Sequence, residues 1–165
     1  MHGKITKQYW ADTYKTEPDI LDFVDWESVG RALKQLNKQM QHFVTKHMMG
    51  MCRVGKFMKG WKKWEHEKCH HCVAKEDAQH VWLCNTVEAT EERNKGIREL
   101  EAWMYEVATS PDITQLFLHK LQDLRSGREA DGEVPPKLRQ AVQTKNDIGW
   151  SLVLEGWLSI EWTAV

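Results

Sequence analysis

Apolar positions recur with helical spacing along most of the chain. Val29, Leu33, Leu36, Met40, Phe43 and His47 follow one another at steps of four and three, which places them on one face of a helix. Asp25 stands where its carboxylate can accept an orphan amide of the first turn, and Gly50 stands where such a helix stops. Ile97, Leu100, Met104 and Val107 form a second stripe. Ser110-Pro111-Asp112 then reads as cap, first helical residue and dipole-complementing acid. The helix it opens should turn Ile113, Leu116, Phe117, Leu121 and Leu124 inward and end at Gly127. Further on, Trp150, Val153, Leu154, Trp157 and Leu158 predict one more helical stripe. There is no Asn-Gly hairpin signal, no sustained alternation, no internal repeat and no low-complexity tract. The expected class is all-α, with one irregular segment around 65–85.

The expected organisation is a loosely held N-terminus over 1–17, a helical domain over 18–126 and a C-terminal helical segment over 137–165. Between the last two, the polar stretch 127–136 ends in two prolines and reads as an exposed linker. Length changes the picture little: 165 residues suit one domain or a core with appendages. Nine tryptophans, spread from Trp10 to Trp162, give every part of the chain something large to bury. No run approaches the roughly 18 apolar residues of a membrane helix, and the first residues carry no apolar signal region. The expectation is a soluble protein of cytosol or nucleus.

The irregular segment holds the densest chemistry. Its pattern is Cys-x2-Cys-x7-His-x3-Cys, at Cys69, Cys72, His80 and Cys84. Two cysteines two residues apart can chelate one ion from a tight turn. His80 and Cys84, four apart, share a helical face. Three thiolates and an imidazole close a tetrahedral zinc site with no open position, which is a structural arrangement and not a hydrolytic one. Such binding is worth about 10–16 kcal/mol, enough to decide whether residues 65–90 fold. His66, His70 and His71 lie beside the pair and compete for the same role; the preference for thiolates rests on spacing and on zinc's affinity for sulfur. A redox pair at Cys69 and Cys72 would expect a βαβ context and would leave His80 and Cys84 unexplained. Cys52, distant in sequence, reads as a small buried apolar residue.

Charge is segregated. The formal total is −1, which excludes a histone-like polycation. Residues 41–68 nevertheless carry seven Lys or Arg against two acids, while 85–107 carry six Glu against three bases. Lys56, Lys59 and Lys63 are expected on one helical face, with Lys62 beside them and Trp61 and Trp64 interleaved. Basic charge meets phosphate and exposed tryptophan stacks on unpaired bases, so these six residues are the candidate contacts to RNA or single-stranded DNA. The bland reading is a solvated basic face with both tryptophans turned inward. Gly55-Lys56 is no phosphate loop, because the upstream glycine is missing and Phe57 stands where a hydroxyl would hold Mg²⁺.

The order Phe43-Val44-Thr45-Lys46-His47, Gly50-Met51-Cys52-Arg53-Val54-Gly55-Lys56, Trp61, the Cys-x2-Cys pair and Glu76-Asp77-Ala78-x-His80-Val81-Trp82-x-Cys84 resembles a known pattern. It looks like the zinc-binding region downstream of the polymerase in reverse-transcriptase homologues of non-viral retroelements. It is still more similar to retroelement-derived open reading frames of some microbial eukaryotes. Ile148-Gly149-Trp150 and Gly156-x-x-Ser159-x-Glu161-Trp162 are similar to the segment after the knuckle, so the resemblance covers about residues 25–162. It implies an accessory nucleic-acid-binding module with one structural zinc on Cys69, Cys72, His80 and Cys84. Relatives usually carry Pro after the first Cys and Gly after the second, whereas this chain has His70 and Val73; Arg53 also replaces a common Gly. A knuckle needing positive φ at that Gly position would be resisted by Val73, which predicts weaker metal binding or a different turn.

The aspartate pair of a polymerase is missing, since no Asp-Asp dipeptide occurs. Asp22, Asp25 and Glu27 are read as helix-initiating, and no nucleophile with a base can be argued. The expectation is a non-enzyme. The alternatives are a zinc-stapled scaffold whose Trp-rich C-terminal helix docks on a protein partner, or a relic frame without selected activity. The end at Val165, just after the Trp162 motif, reads as a truncated frame.

Overall fold

A computed structural model describes residues 2–126 and 134–163. Its helices are α1 (His2–Tyr14), α2 (Trp26–Gln35), α3 (Lys38–Met48), α4 (Gly55–Gly60), α5 (Ala78–Leu83), α6 (Val87–Glu106), α7 (Pro111–Ser126), α8 (Arg139–Ile148) and α9 (Ile160–Thr163). Shorter 3-10 turns lie at Pro18–Phe23, Pro136–Leu138 and Trp150–Glu155. The described residues contain no strand, only isolated bridges between Val24 and Ser159 and between Lys68 and Lys75. The fold is all-α. None of these helices is long and apolar enough to cross a membrane.

The chain forms two compact units, Met1–Gln41 with Gly132–Val165, and His42–Asp131. These divisions differ from the boundaries drawn at 17, 126 and 136 from composition. The expected linker lies largely at 127–133, outside the described residues, as does Gly127, the expected end of α7.

The first unit is built around Trp157, which is fully buried with Leu21, Val24, Ile148 and Leu152. Trp10 stacks on Trp26 at 4.8 Å between ring centroids, and Tyr14 and Trp26 meet Trp157 edge-on at 4.9 and 5.5 Å. Such edge contacts add about 0.5–1.5 kcal/mol each beyond the area they bury. Backbone closes the same unit, with the Asp25 amide donating to the Leu158 carbonyl at 2.9 Å. Residues 2–14, expected to be loosely held, form α1 and contribute Trp10 and the buried Ala11 to this packing.

Two helical expectations change. Asp25 caps α2 as expected, accepting from the Ser28 amide at 2.9 Å, but the stripe from Val29 to His47 is not one helix. Leu36 is extended, and Asn37 opens α3 by accepting the Met40 amide at 2.9 Å. Spacing alone does not register an Asn that competes for helix amides. Gly50, at φ +64°, ends α3 by the expected route, with its amide on His47 and the Met51 amide on Lys46. The C-terminal stripe also divides. Gly149 (φ +98°) and Gly156 (φ +81°) bracket the 3-10 turn Trp150–Glu155, so Trp157 and Leu158 lie beyond it. Trp157 and Trp162 are buried within their own unit.

In the second unit, Ser110 and Pro111 open α7 where expected, with the Thr114 amide on the Ser110 carbonyl at 3.0 Å. Its buried residues are Thr114, Leu118 and Leu121, and the facing α6 buries Met104 and Arg93. Val107, expected inward, is half exposed.

Candidate metal centre

A tight hairpin carries the first two cysteines. The Glu76 amide donates to the Glu67 carbonyl at 2.8 Å, Lys68 bridges Lys75, and the Cys69 amide donates to the Ala74 carbonyl at 2.9 Å. Between them, residues 70–73 turn. Val73 does not take a positive φ, so the turn avoids the conformation that a β-branched residue resists, and its side chain points to solvent.

The hairpin is fastened from the start of α4. The Gly55 amide donates to the Glu76 carboxylate at 2.6 Å and the Lys56 amide to the Glu76 carbonyl at 2.9 Å. A Cβ on Gly55 would stand 2.7 Å from the Glu67 carbonyl oxygen, so only glycine permits this approach. That glycine serves backbone packing and not phosphate.

The other two donors come from α5. Asp77 caps it, accepting from the His80 amide at 2.8 Å, and this short helix presents His80 and then Cys84 one turn later. Arg93 on α6 grips the end of α5, donating to the carbonyls of Trp82 at 2.6 Å and Cys84 at 3.0 Å. Thr86 caps α6 through the Ala89 amide. Arg93 is 8% exposed. Nothing in the spacing of apolar residues singles it out from the Glu-rich helix around it, so its role is not visible in the sequence.

The donor atoms of Cys69, Cys72, His80 and Cys84 all lie within 4.8 Å of one another. Cys72 Sγ is 3.3 Å from His80 Nε2 and 4.0 Å from Cys84 Sγ. A tetrahedral ion with bonds of about 2.3 Å to sulfur and 2.0 Å to nitrogen sets its donors about 3.8 and 3.5 Å apart. The two Cys72 separations lie within about 0.2 Å of that scaffold, and all four cysteines are free of disulfides. These residues can hold one metal ion.

The thiols are electrostatically unequal. The Thr86 backbone leads in pulling Cys84 below its ordinary range, helped by the Thr86 hydroxyl and neighbouring sulfurs against burial. At Cys72 the Ala74 backbone pulls downward, but burial and the sulfurs of Cys69 and Cys84 outweigh it, so that thiol is raised. A cation among them removes the cost of three adjacent thiolates. The competing histidines are placed elsewhere: His66 Nδ1 accepts from the Lys68 amide and His70 packs edge-on against Trp64 at 4.4 Å. Exposed His71 is outside the four-donor group, as is buried Cys52.

The basic stretch is only partly helical. α4 carries Lys56 and Lys59 and ends at Gly60; Lys62, at φ +57°, turns the chain as its amide returns to Lys59 and the Lys63 amide to Met58. Lys63 therefore does not share a helical face with Lys56 and Lys59. The reason is local: Gly60 weakens the helix and Lys62 adopts the left-handed conformation that closes it. All four lysines are exposed. Trp61 is 44% exposed and tilts against Phe57, whereas Trp64 is half-buried against His70.

Fold and site together define an all-α protein with a Cys3His cluster that can hold a metal ion. Comparison with known protein families, with curated proteins and with solved structures finds no match.

Proposed function

We propose that the chain is a non-catalytic, zinc-stapled nucleic-acid-binding module of the retroelement-derived kind that its motifs resemble. The carrying observation is the closed Cys3His cluster, whose hairpin is tied through Glu76 and His70 to the segment that carries the exposed lysines. Zinc is the ion of choice because three thiolates and an imidazole at tetrahedral separations suit a borderline-soft, redox-inert cation. Four protein ligands leave no coordination position for water, which favours a structural role. Lys56, Lys59, Lys62 and Lys63 are the phosphate contacts in this reading. Trp61 is the stacking residue, with Trp64 holding the hairpin through His70. The scaffold alternative has weaker support, since Trp157 and Trp162 are occupied in their own core.

Zinc-loaded full chain titrated with labelled single-stranded RNA and DNA tests this directly. Four phosphate contacts to a single strand predict a slope of log affinity against log salt of about −3. Replacing Lys56, Lys59 and Lys63 together by Glu should abolish most binding at low salt. A wild-type protein that binds neither strand, or a triple variant that binds as well as wild type, contradicts the reading.

A further inference from the structure

Next to the metal cluster, in the same unit, the end of α5 and the facing sides of α6 and α7 line an open pocket of about 690 Å³. Its charge is unusual for so acidic a stretch of sequence: Arg93, Arg98 and Arg125 line it against a single acid, Glu101. Arg93 and Arg125 both direct Nη2 at one neutral acceptor, Thr90 Oγ1, at 3.2 and 3.4 Å. Two guanidiniums thus converge on an oxygen that neutralises neither. Among the described residues no carboxylate makes an ion pair with Arg93, Arg98 or Arg125. Two further buried donors lack an acceptor, Arg93 Nε and Trp82 Nε1, and both belong to lining residues.

Bringing like charges together without a counterion is unfavourable, and a bound anion relieves it. Guanidinium forks match the oxygens of phosphate better than a point charge does. Arg93 is fixed by the Trp82 and Cys84 carbonyls, with its guanidinium 5.9 Å from the Trp82 ring centroid, so its charge is pre-positioned. Arg98 and Arg125 are exposed and Asn94 stands between the arginines of α6, so an incoming group meets the exposed donors first and the fixed one last. The volume falls within the range of small-ligand sites and accommodates a nucleotide.

We propose that this pocket binds a phosphate-bearing nucleotide of single-stranded nucleic acid, a second contact region beyond the lysine turn. The inference rests on the nucleic-acid reading above, and the two are separable by mutation. Zinc-loaded wild type, an Arg98→Gln/Arg125→Gln variant and the lysine triple variant are each titrated with the same labelled single-stranded RNA across a salt series. Removing two phosphate contacts should weaken binding about tenfold or more and make the salt slope shallower by about 1.4. An Asn94→Asp/Gln122→Glu variant, which keeps the arginines and adds repulsion, should lose affinity likewise; zinc content and helicity verify that each variant is folded. At matched ionic strength, inorganic phosphate should displace the RNA better than chloride.

Wild-type binding that both pocket variants retain, while the lysine variant loses it, overturns the pocket and leaves the lysine reading standing. Loss in the pocket variants alone supports the pocket and overturns the lysines. Absence of wild-type binding overturns both, and equal displacement by phosphate and chloride overturns phosphate recognition.

Discussion

Stripping the metal with a chelator, or replacing Cys72 by Ser, will unfold the segment from Glu67 to Cys84 while leaving the first unit intact. The expectation follows from how little else holds that segment. α5 has six residues, far below the length at which a helix is stable alone. The hairpin before it has only a few backbone hydrogen bonds and an exposed turn. The remaining ties, Gly55 to Glu76 and Arg93 to the end of α5, fasten a structure that the four donors must first close. Structural zinc supplies about 10–16 kcal/mol in modules of this kind, as much as a small domain's whole stability. Amide exchange checks the outcome: protection across 67–84 should vanish, while α1 and α8 keep theirs. Cys52→Ser is the control, since Cys52 is buried outside the cluster and its loss should leave that protection in place. Unchanged exchange after chelation would mean that packing, and not metal, organises the knuckle.

Raising the pH from neutral to alkaline will stabilise the first unit, because of Lys145. Its side chain is fully buried on α8, and that burial lowers its pKa from 10.5 to about 7. Below pH 7 the amine is charged in both folded and unfolded chains, and the folded state carries the whole cost of burying it. Between about 7 and 10.5 the folded protein holds a neutral amine while the unfolded chain remains protonated. The unfolded state then binds more protons, so stability rises with pH across that window. Over the full window the gain is about 5 kcal/mol as an upper bound. Lys145→Met should remove the rise and gain stability at pH 7 and below. The Gly149 carbonyl that Lys145 contacts at 2.9 Å keeps a partner in the Leu152 amide, so the variant leaves no orphan there. Denaturant midpoints of both proteins over this pH range measure it; parallel curves would contradict it.

Lys145 also shows why part of the fold was hidden. Ala141, Val142, Lys145 and Ile148 form the buried face of α8, and a lysine at its centre breaks the apolar pattern that identifies helices. The all-α class, the Asp25 cap, the Gly50 stop and the start of α7 were legible, since each depends on residues near in sequence. The breaks at Asn37, Gly60 and Gly156 were not, because a periodic stripe can be continued through residues that in fact cap or terminate a helix. At the site, the four donors were readable from spacing. Arg93, Glu76 and Gly55 were not, since their roles arise only when α4, α6 and the hairpin are brought together.

The proposed function has Cys69, Cys72, His80 and Cys84 hold a single zinc ion. The decisive test is metal analysis of the 165-residue chain purified without added metal, paired with the absorption spectrum of the cobalt-substituted form. One zinc per chain and tetrahedral thiolate-rich cobalt bands are expected, with both lost in Cys72→Ser and His80→Ala but not in Cys52→Ser. Protein that is folded without zinc, or ligand variants that keep a full complement of it, would rule out zinc binding by these four residues.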